Sequence, residues 1–217
     1  SEGAMKHSGV IVQEGFPFII VSIIITIAAF YFGFTWLAVF LAALTVFIIC
    51  FFRNPQRKFQ DEKNLVISPA DGKVIKIEDV ELEGQMSGRF KKISIFMNVF
   101  NVHVNRAPYN GTIEKIIYHK GKFLSANLDK ASAENERNEI MIRTPDGKVV
   151  WVVQIAGLIA RRIVCWTASG TTVSKGERIG MIRFGSRVEV FLPADSSIVV
   201  KLDDQVRAGK THLGYLS

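Results

Sequence analysis

Cysteine is scarce in this chain: two in 217 residues, Cys50 within a long apolar run and Cys165 within an apolar, strand-like segment. A disulfide framework is therefore not expected, and a reducing compartment fits. Histidine is nearly as sparse, with four, and no His/Cys group has the spacing of a zinc site, so no metal is expected. The net charge is basic, +7, yet no recognised nucleic-acid motif and no basic helix accompanies it. Nucleic acid is thus not an expected partner. An anionic membrane surface accounts for the same charge with fewer assumptions. The largest gap is in charge itself, which is missing between Glu14 and Arg53.

What fills that gap is Phe16–Phe52, 37 residues that are nearly all aliphatic or aromatic. The run exceeds the roughly 18 residues that mark a membrane span. It is too long for a secretory signal, and no small-residue cleavage site follows it. A single helix would reach about 55 Å, against a hydrocarbon core of about 30 Å. The run is therefore expected to fold back near Gly33, which lies among the aromatic residues Tyr31, Phe32, Phe34 and Trp36. Phe16–Phe32 and Trp36–Phe52 read as two short spans or a re-entrant hairpin. Arg53, Arg57 and Lys58 behind them favour the cytoplasmic side of the cell membrane. Ser1-Glu2-Gly3-Ala4 before Met5 resembles an expression scar. The expected organisation is a tag and leader at 1–15, a membrane hairpin at 16–52, a basic linker at 53–67 and the main domain at 68–217.

From Ser68 onward the signal is mostly strand. Lys92–Met97 alternates, Ile113–Tyr118 is apolar at most positions, and Val149–Ile155 is a continuous β-branched and aromatic run; Ser197–Leu202 is another candidate. Turn residues punctuate them at Asp71-Gly72, Asn110-Gly111, Pro145-Asp146-Gly147, Gly176, Gly180 and Gly209. The expected fold is mainly β, a β-sandwich or partly open barrel preceded by the hydrophobic helical hairpin. Leu124–Glu139 breaks the pattern, being polar without alternation, and reads as a short helix or an ordered loop.

Three polar groups stand out in strand-like surroundings. Gly185-Ser186 sits at a bend between two strand-like segments, where glycine tolerates a geometry that lets the serine oxygen approach the preceding carbonyl. The same dipeptide is also an ordinary turn. Asp71 lies in Ser68-Pro69-Ala70-Asp71-Gly72, which equally reads as a hairpin turn. His103 is embedded in the apolar stretch from Val99 to Val104, where a core histidine is the plainer reading. Asp, His and Ser together are the parts of a proton-transfer triad. On the residues alone both readings stand, and a membrane-anchored Ser-His-Asp hydrolase that stays uncleaved is the alternative.

Several motifs occur together in order: Phe51-Phe52-Arg53-Asn54-Pro55; Ser68-Pro69-Ala70-Asp71-Gly72; Asn101-Val102-His103-Val104-Asn105-Arg106-Ala107-Pro108; Lys130-Ala131-Ser132-Ala133-Glu134-Asn135-Glu136-Arg137-Asn138; and Phe184-Gly185-Ser186. In these the chain resembles the short, membrane-anchored class of phosphatidylserine decarboxylase proenzymes, from about Phe16 to the C-terminus. The longer class typically carries Leu-Gly-Ser-Thr at the cut, where this chain has Phe184-Gly185-Ser186-Arg187. The resemblance implies self-cleavage between Gly185 and Ser186, giving a β chain 1–185 and an α chain 186–217 that stay associated. Ser186 would become a covalent pyruvoyl group, the only cofactor expected. It would act on phosphatidylserine through a Schiff base, releasing CO2 and phosphatidylethanolamine. The resemblance further implies His103 as base, oriented by Asp71. Asn135 and Arg137 are candidates for gripping the lipid headgroup, with a solvated loop as the plainer reading. A homo-oligomer is compatible with all of this.

Overall fold

The computed structural model describes residues 9–82, 87–122, 134–158, 162–183 and 185–217. The chain divides into two compact units, Ser1–Gln56 and Arg57–Ser217.

In the first unit, α1 (Phe16–Tyr31) and α2 (Thr35–Phe51) are joined through Gly33, whose φ of +80° is the left-handed geometry that glycine adopts without strain. The two helices pack on each other, with the hydroxyls of Thr26 and Thr45 3.3 Å apart. Each hydroxyl also donates within its own helix, to the carbonyls of Ser22 and Leu41, so neither polar group is stranded among apolar neighbours. The base of the hairpin is closed by backbone bonds from Val12 N–H to the Phe52 carbonyl and from Asn54 N–H to the Val10 carbonyl. Large apolar side chains point outward all round, Ile20, Ile24, Ile27, Trp36, Phe40 and Val46 among them. Water would not tolerate that surface, whereas lipid would. The apolar stretch Gln13–Tyr31, 19 residues, is long and apolar enough to cross a membrane.

The second unit is mainly β. A curled half-barrel sheet of eight antiparallel strands dominates it. Its spatial order is Gln205–Val206 (β13), Gly72–Leu82 (β2), Gly88–Met97 (β3), Ser186–Pro193 (β11), Val149–Ala156 (β7), Arg137–Arg143 (β6), Gly111–His119 (β5) and Thr172–Val173 (β9). Two three-stranded sheets complete it. One joins Leu65–Ile67 (β1), His212–Tyr215 (β14) and Ser197–Ile198 (β12); the other joins Val104–Arg106 (β4), Arg178–Ile182 (β10) and Ile163–Cys165 (β8). One face of the large sheet supplies the core, with Ile93, Ile95, Ile140, Ile142, Val150, Val152, Val188 and Val190 fully buried. Strict alternation explains why: in β11, Val188, Val190 and Leu192 face this core while Arg187, Glu189 and Phe191 face the other way.

The expected linker at 53–67 is only partly a linker here. Arg57 onward belongs to the second unit, and Leu65–Ile67 is a fully buried strand paired with β14, because three consecutive apolar residues are better covered than left exposed. The expected strand at Ser197–Leu202 is shorter, ending at Ile198. Beyond it Val199 N–H donates to the Leu213 carbonyl and Asp203 turns back to bond Val74. Of the polar segment Leu124–Glu139, residues 124–133 lie outside the described residues, whereas Arg137–Glu139 begins β6.

Candidate active site

Ser186 is the first residue of β11. Its neighbours across the sheet are Met97, the last residue of β3, and Ala156, the last of β7. The residue before it, Gly185, has a φ of +59°, and a Cβ there would meet nothing within 4 Å. Glycine is needed at 185 for its backbone angle and not for space. Phe184, quoted in the cleavage motif, lies outside the described residues.

The Ser186 side chain is fully buried, and its hydroxyl donates to the Met97 sulfur at 3.4 Å. A thioether is a weak acceptor, so the proton is lightly held and available to a stronger base. The same sulfur receives the Asn105 amide at 3.7 Å. Asn105 in turn accepts from Gln154 at 2.8 Å, and Gln154 accepts from Asn138 at 3.0 Å. This row of carboxamides crosses the core out of water, and stranding one of its donors would cost about 1–3 kcal/mol. It fixes Met97 beside Ser186. Sequence reasoning had Asn105 and Asn138 inside quoted motifs but passed over Gln154. The available signal was a glutamine interrupting the apolar run Val149–Ile155.

His103 follows the turn Asn98–Asn101 that leaves β3, and it is completely buried. Its carbonyl accepts from Ile182 N–H at 3.3 Å, which ties it to β10, the strand that leads to Ser186. Ring atom Nδ1 lies 3.0 Å from the Asn101 carbonyl oxygen. A carbonyl can only accept, so Nδ1 carries the proton and Nε2 of the neutral ring bears the lone pair of a base.

Asp71 immediately precedes β2, on the far side of β3 from β11. Its turn is braced by the Ser68 hydroxyl on the Ala70 carbonyl. The next residue, Gly72, lies so close to β3 that a Cβ would sit 2.2 Å from the Phe96 carbonyl oxygen. Both oxygens of the buried carboxylate are engaged: Oδ2 takes Arg57 at 2.9 Å and Oδ1 takes the Ala208 N–H at 2.7 Å. Asp71 also acts on Arg106, which bonds the Gly176 carbonyl and stands directly across from Arg178. Burial, with the like charges of Arg178 and Arg57, pulls the Arg106 guanidinium down to about 10, against the opposing pull of Asp71. His103 Nδ1–H is held by the Asn101 carbonyl, and the Asp71 carboxylate by Arg57 and the Ala208 N–H.

Each of the three residues thus has its own hydrogen-bond partner, with Ser186 opening β11 and Asp71 just before β2 on either side of β3, and His103 tied to β10. A family model described as phosphatidylserine decarboxylase matches residues 44–214. Among similar proteins, the phosphatidylserine decarboxylase proenzyme of Syntrophus aciditrophicus is 53% identical over 211 residues, covering 97% of this chain and 99% of its own. That of Magnetococcus marinus is 46% identical, with 98% of each chain covered. That of Geobacter metallireducens is 47% identical, covering 98% of this chain and all of its own. The chain belongs to the phosphatidylserine decarboxylase family.

Two further features of this decarboxylase bear on its site. Asn135 is fully buried and donates to the Ala156 carbonyl at 2.7 Å, so it braces the strand end beside Ser186. Arg137 donates to Glu139 at 3.1 Å, and Glu139 also meets His119 at 3.0 Å. On the sheet face opposite the Ser186 side chain, Arg187 is 1% exposed and pairs with Glu189 at 2.9 Å, while the Ser94 hydroxyl accepts from Arg187 and donates to Glu189. Sequence reasoning missed this closed group, although two charges spaced by two in an otherwise apolar strand were there to be seen.

Proposed function

We propose that this decarboxylase is made as a precursor that cuts its own backbone between Gly185 and Ser186, and that Ser186 becomes the pyruvoyl group with which it decarboxylates phosphatidylserine. The observation that carries this reading is a fully buried serine directly after a left-handed glycine, its hydroxyl proton resting on a weak acceptor.

His103 Nε2 takes the Ser186 hydroxyl proton, its ring held by Nδ1–H on the Asn101 carbonyl. The Ser186 oxygen attacks the Gly185 carbonyl carbon and the C–N bond breaks, so the amide becomes an ester and the amine of residue 186 is freed. Loss of the 186 α-proton then expels the Gly185 carboxylate together with the former Ser186 oxygen. Water replaces the remaining nitrogen, ammonia leaves, and a ketone remains at position 186. When formed, that ketone supplies an electrophile for the substrate amine and a sink for the electron pair left by CO2.

The rest of the machinery holds this chemistry in place. Asp71 is the counter-ion of Arg57 just before β2, and it braces that turn through the Ala208 N–H. Met97 and its carboxamide row hold the residue-186 side chain. Asn135 steadies Ala156, and Arg137 stands at the same sheet edge, where a headgroup carboxylate or phosphate could be met by its guanidinium. The hairpin keeps the enzyme on the cytoplasmic face of the cell membrane, beside its lipid substrate.

The test is intact mass and carbonyl trapping on the active protein: two chains, 1–185 and 186–217, the smaller with a terminus that borohydride reduces. A single unbroken active chain would instead favour the uncleaved hydrolase. Replacing His103 by Ala should slow self-cleavage by about 10²- to 10⁴-fold, the span that a positioned general base contributes. A time course of chain splitting on denaturing gels measures it, and unchanged splitting would remove His103 from this role.

A further inference from the structure

Ser186 opens β11 at one edge of the large sheet, and the strands on either side of it run on past that edge. β3 ends at Met97 and turns through Asn98–Asn101; β7 ends at Ala156 and continues to Leu158. Each extension lifts one large apolar side chain into the open, Phe100 at 71% exposed and Leu158 at 63%. The turn that carries Phe100 is a built one. Asn101 Oδ1 accepts from Asn98 N–H at 2.8 Å, Asn98 Oδ1 accepts from Phe100 N–H at 2.9 Å, and Asn101 N–H returns to the Asn98 carbonyl.

A lone exposed apolar residue is ordinary. Here two flank the reacting serine, and the same edge is basic. Arg162 and Arg183 are joined by a backbone bond two residues before Gly185, and Lys120 follows the end of β5. Tyr118, half exposed, sits one residue before that end with Arg162 in its field. The β6–β7 turn at the other end of these strands, Thr144-Pro145-Asp146-Gly147-Lys148, presents no large apolar side chain. Aromatic and aliphatic tips set among cations match the chemistry of an anionic lipid surface.

We propose that this edge is a bilayer-docking surface, with Phe100 and Leu158 entering the boundary between headgroups and acyl chains on either side of residue 186. The proposal rests on the reading that Ser186 is the reacting residue and that the substrate is a membrane lipid. Docking there brings the headgroup to the site without lifting the lipid out of its leaflet, and Arg162, Arg183 and Lys120 meet the anionic surface around the two tips.

The experiment uses the full-length enzyme reconstituted in vesicles of phosphatidylcholine and phosphatidylglycerol. In a Cys50→Ser, Cys165→Ser background, a fluorophore on Phe100→Cys should be quenched by brominated lipid, and one on Asp146→Cys should not. The double variant Phe100→Ser, Leu158→Ser should still split into two chains and should turn over a water-soluble short-chain phosphatidylserine normally. Its apparent KM for phosphatidylserine in vesicles should rise about tenfold, since the apolar contacts that hold the edge at the surface are gone. Equal quenching at positions 100 and 146, or an unchanged vesicle KM, would overturn the docking surface. Failure of the unmodified enzyme to split would count against the reading of Ser186 instead, so the two failures are distinguishable.

Discussion

A Ser186→Ala protein is expected to remain one chain of 24.2 kDa and to release no CO2 from phosphatidylserine. The residue is fully buried and its hydroxyl touches the Met97 sulfur, so the substitution removes one weak hydrogen bond and leaves the packing of β11 in place. The stability cost should be at most about 1 kcal/mol. The chemical cost is total. Without Oγ nothing attacks the Gly185 carbonyl, no ketone forms at 186, and turnover should fall by at least about 10⁶-fold. Denaturing gels, intact mass and CO2 release from the same preparation read the three expectations together. A folded, unsplit variant without activity fits them. An unsplit variant that still decarboxylates lipid would place the electrophile elsewhere.

Much of this architecture was legible because local chemistry demanded it. An uncharged run from Phe16 to Phe52 with one glycine among aromatics can satisfy its backbone only as helices, and α1 and α2 begin and end within one residue of the expected spans. The strands around Lys92–Met97, Ile113–Tyr118 and Val149–Ile155 were legible because period-two or continuous apolar runs have few other uses. The register of β1 on β14 was not, since Leu65 pairs with Tyr215 across most of the domain and no local pattern encodes that distance. β2 was also obscured. It runs eleven residues to Leu82 through Lys76, Glu78, Asp79 and Glu81, charges that are tolerable because Glu78 meets both Lys76 and Lys92.

The site divides in the same way. Ser186, His103 and Asp71 could be singled out as candidates from residue type and motif. Their partners could not, because the Asn101 carbonyl, the Ala208 N–H and the Met97 sulfur are ordinary atoms that acquire a role only through tertiary placement. The pairing of Asp71 with Arg57 is the sharpest case: two residues from a supposed linker and a supposed turn meet as a nearly buried ion pair.

Glu189→Leu is expected to be the most damaging substitution outside the reacting residues. It leaves the Arg187 guanidinium in the interior with its counter-charge gone, a loss of about 3–5 kcal/mol. Thermal denaturation should register this as a fall of about 10 °C or more for a chain of this size. The double variant Arg187→Met, Glu189→Leu should recover most of that, because a buried pair replaced by apolar groups of similar volume is often neutral. Position sharpens the consequence. Arg187 directly follows the terminus that the proposed cut would create at 186, while Ser94, which closes the group, would lie in the larger chain. In the uncut Ser186→Ala background, Glu189→Leu should lower the melting temperature and nothing else, since the backbone still joins the two parts. In the cleaved enzyme the same change loosens β11, one of the attachments of the 186–217 chain beside β13 on β2 and β14 on β1. Gel filtration should then show loss of the 186–217 chain along with loss of activity. If the cleaved Glu189→Leu enzyme keeps both chains and melts no lower than its parent, the buried pair is not what holds β11 in place.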